Sequence, residues 1–153
     1  MYDNTAERPE ITEAKHQQIF RDYSGKIGER MAGPWAESGI TAVEINDMVV
    51  LLNWCFGLKN NFFSKDFNRR SIFAISTAYN QLKSNILNET DALTPLDGIT
   101  VDGLKILKFI LNQYISVYDQ IAEDNYHNEL CGRISKDSVK RCSVFVGERL
   151  RIL

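Results

Sequence analysis

The side chains that could do chemistry in this chain are few, and the densest set is Asp119, Glu123, His127 and Cys131, each four residues from the last. On a continuous helix that spacing lines one slowly rotating face, and carboxylate, imidazole and thiolate all ligate divalent transition metals. Bundles that hold metals this way draw matching ligands from a second helix. No other segment here repeats a Glu and His or a Cys and His set, and Asn125 interrupts the face. The quartet therefore reads as a solvated helix face. No metal, cofactor or catalytic residue is expected.

Other catalytic patterns fail on the same inspection. The two histidines, His16 and His127, sit in no HExxH pair, and neither has upstream of it an arginine separated by four to six residues, the spacing of HEPN-type helical ribonucleases. No P-loop, GxGxxG or GxSxG is present, and Cys55, Cys131 and Cys142 form no CxxC. Gly25-Lys26-Ile27-Gly28 has the GxxG spacing with which KH domains clamp a nucleic-acid backbone. A KH domain also needs a three-stranded sheet, whereas the flanks here are helical, so the glycines read as a close helix approach or a bend.

Composition sets the frame for these residues. A chain of 153 residues with 44% hydrophobic and 25% charged side chains can bury one sizeable core without disulfides or metal. Residues 1–10 are polar and aperiodic and read as a flexible lead-in to a single domain over 11–153. The longest apolar run, Met48 to Leu52, is far short of the roughly 20 residues of a membrane span. With no secretory signal pattern and an odd number of cysteines, a reducing, cytoplasmic setting is expected, with the thiols buried.

Net charge is −2, but it is unevenly spread. Residues 1–132 hold 12 Lys or Arg against 18 Asp or Glu, whereas 133–153 hold six against two. The body is acidic and the C-terminal segment basic.

Apolar spacing predicts the elements. Ile19, Tyr23, Ile27 and Met31 mark a first helix over 11–32, with a break possible near Ser24 and a stop at Gly33-Pro34. Thr41 and Glu44 form a capping box that opens a second, almost wholly apolar helix running to about Phe56. A third runs from Ser64 or Asp66 to about Asn88. A fourth opens at Thr100 and carries Leu104, Leu107, Leu111, Tyr114 and Tyr118 on one face. In the last segment, Val139, Cys142, Val146, Leu150 and Leu153 make a helical stripe, while Val144-Phe145-Val146 and Leu150-Arg151-Ile152 leave a strand reading open. The predicted architecture is all-α, a single-domain bundle of four to six helices.

Without a catalytic constellation or cofactor fingerprint, function is expected to lie in a surface. The first reading is a non-enzymatic protein-binding module, an inhibitor or regulator that occludes a larger protein, of the phage- or plasmid-encoded or immunity-protein kind. Its candidate contacts are Trp35, which either caps the bundle or protrudes as an anchor, Phe62 and Phe63, and the acidic pair Asp119 and Glu123. The alternative is a nucleic-acid-binding regulator that uses Arg69, Arg70, Lys136, Lys140 and Arg141 against phosphates. A homodimer pairing the basic segment of one copy with the acidic body of another is a further arrangement the charges allow.

Overall fold

The computed structural model describes residues 13–56, 69–87, 91–123 and 134–153, the side chains of 13–17, 19–20, 54–56, 69–72 and 120–123 excepted. Among the described residues are five helices and no strand: α1 Glu13–Ala32, α2 Ala42–Phe56, α3 Arg69–Ile86, α4 Val101–Glu123 and α5 Lys136–Arg151. This is the all-α bundle expected. The lead-in over residues 1–10 lies outside the described residues.

In α1, Ile27 is buried and Tyr23 and Met31 pack against the core, as the four-residue spacing requires. The helix runs unbroken through Gly25 and Gly28, so the break near Ser24 does not occur. Each glycine costs about 1 kcal/mol against alanine, but Tyr23 and Ile27 fasten the helix to the core on both sides of Gly25. A Cβ at either position would meet none of the described residues within 4 Å, so neither glycine serves a close approach among them.

The chain leaves α1 in a turn where the Arg30 carbonyl accepts from the N–H of Gly33 at 3.1 Å and of Trp35 at 2.9 Å. That turn swings Trp35 inward. Its side chain is 0% exposed, its indole N–H donates to the Ala92 carbonyl at 3.0 Å, and the Arg30 guanidinium lies 5.4 Å from the ring centroid. Trp35 therefore caps the bundle, and its alternative placement as a protruding anchor is corrected: a satisfied indole sealed in the core offers nothing to a partner.

Helix α2 is the centre of the molecule and packs on α1, α3 and α5. Its first turn is closed by the capping box: Thr41 N–H donates to Glu44 Oε2 at 3.2 Å and Glu44 N–H to Thr41 Oγ1 at 3.4 Å. Behind it, Ile45, Met48, Val49, Val50, Leu51 and Leu52 are all buried. Full burial of side chains of this kind contributes about 1.5–3 kcal/mol each.

The α3–α4 connection is held by one carboxylate. Asp97 accepts from Leu93 N–H at 2.7 Å and from the Thr94 hydroxyl at 3.0 Å, while Asn85 of α3 donates to the carbonyls of Pro95 at 2.9 Å and Asp97 at 2.8 Å. Gly98, at φ 81°, completes the turn in a conformation that disfavours a side chain. Thr100 Oγ1 then accepts from Gly103 N–H at 3.0 Å and starts α4.

The strand alternative for the last segment is overturned: it is helix from Lys136 to Arg151, capped by Ser135 Oγ accepting from Ser138 N–H at 3.1 Å. Val139, Cys142 and Val146 are buried, so a period of three and four wins over alternation. Helix α5 is part of the bundle. It packs extensively along α4 and also against α2, with Lys108 Nζ donating to the Ser143 carbonyl at 3.2 Å and Ser143 Oγ to Asn112 Oδ1 at 2.6 Å.

Candidate functional site

Where α5 crosses the start of α2, two rows of side chains spaced by four remain outside the core. Lys140, Val144, Glu148 and Ile152 form the outer row, and Arg141, Phe145 and Arg149 the inner one. Together with the 38–41 turn, Val43 and Thr94 they enclose an open groove of about 1070 Å³. Its apolar side chains are strongly exposed: Val43 60%, Val144 64% and Ile152 62%. Phe145 is partly buried at the edge of the core.

The reason for this exposure is geometric. Val139, Cys142 and Val146 turn α5 toward α2 and α4, which leaves positions 140, 144, 148 and 152 on the opposite side. Val43 precedes the buried Glu44 in the capping turn, so fixing Glu44 inward turns Val43 outward. Gly39, at φ 86°, gives the 38–41 turn the shape that forms one wall.

Charge on the groove is mostly self-paired. Arg141 Nε donates to Glu44 Oε1, so the buried carboxylate that caps α2 also holds α5. That hydrogen bond raises the Arg141 pKa further. Arg149 Nη2 lies 3.1 Å from Asp97 Oδ1, which ties α5 to the α3–α4 connection, and Glu148 pairs with Arg151 at 2.9 Å. Lys140 makes no such contact among the described residues. Two polar atoms in the walls, Ser38 Oγ and Arg149 Nε, are buried with no hydrogen-bond partner among the described residues.

Beneath the groove lies a closed polar knot between α2 and α5. Ser138 Oγ donates to Asp47 Oδ2 at 2.8 Å, and Cys142 Sγ reaches the Glu44 carbonyl at 3.5 Å. Burial pushes the Asp47 carboxyl up to about 6, with the Glu44 charge adding and the Ser138 hydrogen bond and Arg141 opposing. Burial likewise pushes the Cys142 thiol far above the ordinary range. Ser138 and Cys142 are nucleophile types beside carboxylates, but both are buried and neither opens on a substrate space. Among the described residues no three His, Cys, Asp or Glu are grouped to hold a metal ion, and no helix is long and apolar enough to cross a membrane.

The structure separates the residues singled out in the sequence. Lys140 and Arg141 reach the groove. Lys136 is turned toward α4, 5.9 Å from the Tyr118 ring centroid, so the three cations do not form one open face. Asp119 is exposed on α4, away from the groove lining, and Glu123 ends α4 with its side chain outside those described. Arg69 and Arg70 open α3, but their side chains, and all of Phe62, Phe63, His127 and Cys131, fall outside the described residues. Sequence reasoning missed Val43, Val144, Phe145, Arg149 and Ile152. The spacing of four from Lys140 to Ile152 was the available signal.

No family model, curated protein or solved structure matches this chain.

Proposed function

We propose that this chain is a non-enzymatic protein-binding module, an inhibitor or regulator that docks on a larger protein through the groove between α5 and the start of α2. The observation that carries the reading is the cluster of exposed aliphatic side chains, Val43, Val144 and Ile152, rimmed by charge on a rigid helical wall. Apolar side chains gathered in a concave, charge-rimmed surface are the usual form of an interaction site. A pre-formed surface also binds at a smaller ordering cost, which suits an occluding partner. A cytoplasmic inhibitor of the phage- or plasmid-encoded or immunity-protein kind is the class this shape and size would serve.

Binding to nucleic acid through Arg69, Arg70, Lys136, Lys140 and Arg141 is the less favoured reading. The Arg141 charge is offset by Glu44, although its terminal nitrogens stay exposed, and Lys136 lies over Tyr118. Among the described side chains, what remains is too little free positive charge to neutralise a run of phosphates.

The test is capture from lysate of the source cell on the full chain and on Val144→Asp, with and without nuclease. Val144 is exposed on one side of α5, so the substitution leaves the core intact. One dominant protein that survives nuclease and is lost on Val144→Asp supports the reading. Capture abolished by nuclease, or identical on both chains, overturns it.

A further inference from the structure

We infer that the groove's occupant is an acidic amphipathic helix of another protein, about three turns long, with its apolar face on Val43, Val144 and Ile152 and a carboxylate at the Lys140–Arg141 end. The inference rests on the protein-binding reading above and adds the chemistry of the partner.

Length comes from α5. The groove follows this helix from Lys140 to its end at Arg151, about 18 Å at 1.5 Å per residue, which accommodates roughly 12 residues of a helix laid alongside. Val144 and Ile152 stand two steps of four apart on the outer row, with Val43 across the groove, so the occupant needs apolar side chains along one face.

Charge selects the sign of its flanks. Of the three cations on the groove, Arg149 is engaged by Asp97. Arg141 gives Glu44 only its Nε, and its side chain is 61% exposed, so the terminal nitrogens stay open. Lys140, next in sequence, has no partner among the described residues. Glu148, the exposed acid of the outer row, is already taken by Arg151. That end of the groove thus offers a carboxylate the unpartnered ammonium of Lys140 on the outer row and the exposed guanidinium of Arg141 on the inner one. An approaching carboxylate can pair with either without displacing Glu44 from Arg141 Nε.

A polyanion fits less well. One or two open cations beside exposed aliphatic side chains suit one or two carboxylates on an apolar helix, whereas a phosphate backbone gains from many cations and nothing from Val144 or Ile152. A second copy of this chain would need an acidic helix with an exposed apolar stripe. Among the described side chains, Asp119 on α4 has no such stripe beside it, since Ile115 and Val117 pack against the core.

The experiment is selection of a displayed library of random peptides of about 16 residues, enough for a three-turn helix, on the immobilised full chain. Enriched peptides are then measured against the native chain, Val144→Asp and Lys140→Glu at two salt concentrations. Expected are peptides with aliphatic or aromatic residues at helical spacing and Asp or Glu in excess over Lys and Arg. Their affinity should fall about tenfold or more on Val144→Asp and several-fold on Lys140→Glu, with only a weak salt dependence. Peptides rich in Lys or Arg, peptides indifferent to Lys140→Glu, or failure to enrich any peptide sensitive to Val144→Asp would overturn the inference. So would concentration-dependent self-association of the native chain abolished by Val144→Asp. If lysate capture still yields a nuclease-resistant, Val144-dependent protein in those cases, the protein-binding reading stands and only the acidic helix is wrong.

Discussion

Arg141 on α5 donates to the carboxylate of Glu44 in the first turn of α2, across 97 residues of chain. Glu44 thereby does two things at once: Oε2 closes the capping box with Thr41 and Oε1 holds the helix that forms the groove. Local helix initiation and tertiary docking meet in one buried side chain.

That double use separates two substitutions. Glu44→Gln retains a capping-box residue and can still accept from Arg141, whereas Glu44→Ala loses both contacts. Urea unfolding should show Glu44→Ala costing about 2 kcal/mol and Glu44→Gln distinctly less. Equal losses would mean that the carboxylate position is not used as described.

Asp47 makes stability depend on pH in an unusual direction for an acid. Its ordinary value is 3.8 and the folded chain holds it at about 6. Between those values the folded chain keeps a proton that the unfolded chain has released, so this group's contribution is full below about 4 and is lost as pH rises to about 6. The loss is of order 3 kcal/mol at about 1.4 kcal/mol per unit. Asp47→Asn, which can still accept from Ser138, should leave stability at pH 4 nearly unchanged and raise it at pH 7.5. A difference between the two chains that does not vary with pH would refute the assignment.

Much of this was legible in the sequence, for identifiable reasons. The capping box at Thr41, the stop at Gly33-Pro34 and the three-and-four spacing of α4 are local signals that tertiary contacts reinforce. Trp35 was ambiguous because nothing local shows that Ala92, 57 residues away, supplies an acceptor for its indole. The β-branched run around Val144 suggested a strand, and packing of Val139, Cys142 and Val146 overrode that propensity. The groove was hidden for a related reason. Its walls come from the 38–41 turn, α2, the α3–α4 connection and α5, and only the α5 row shows a pattern within one segment.

The two glycines at positive φ should respond differently to alanine. Gly39, at φ 86°, has open space around a Cβ, so Gly39→Ala should cost about 1 kcal/mol from backbone strain alone. At Gly98, φ 81°, a Cβ would stand 2.8 Å from Gln81 Nε2. Gly98→Ala must also displace Gln81 from its 3.0 Å hydrogen bond with Asn85 and should cost more. Thermal unfolding of both variants checks the order, and a reversed order would contradict the packing described for the α3–α4 connection.

Cys142 should be chemically silent. Its thiol is buried against Glu44 and its ionisation is strongly suppressed. Alkylation at pH 8 followed by site-resolved mass spectrometry should show Cys142 modified only after denaturant is added. Rapid labelling in the native chain would mean that α5 separates from α2 in solution.

The most direct measurement is site-specific photocrosslinking in the source cell, with the crosslinking residue at Val144 in the groove and, as control, at the exposed Ser116 on α4. The account predicts a discrete adduct with one other protein from position 144 and none from 116. Adducts to nucleic acid from position 144, or the same pattern from both positions, would contradict the groove as a protein-docking surface.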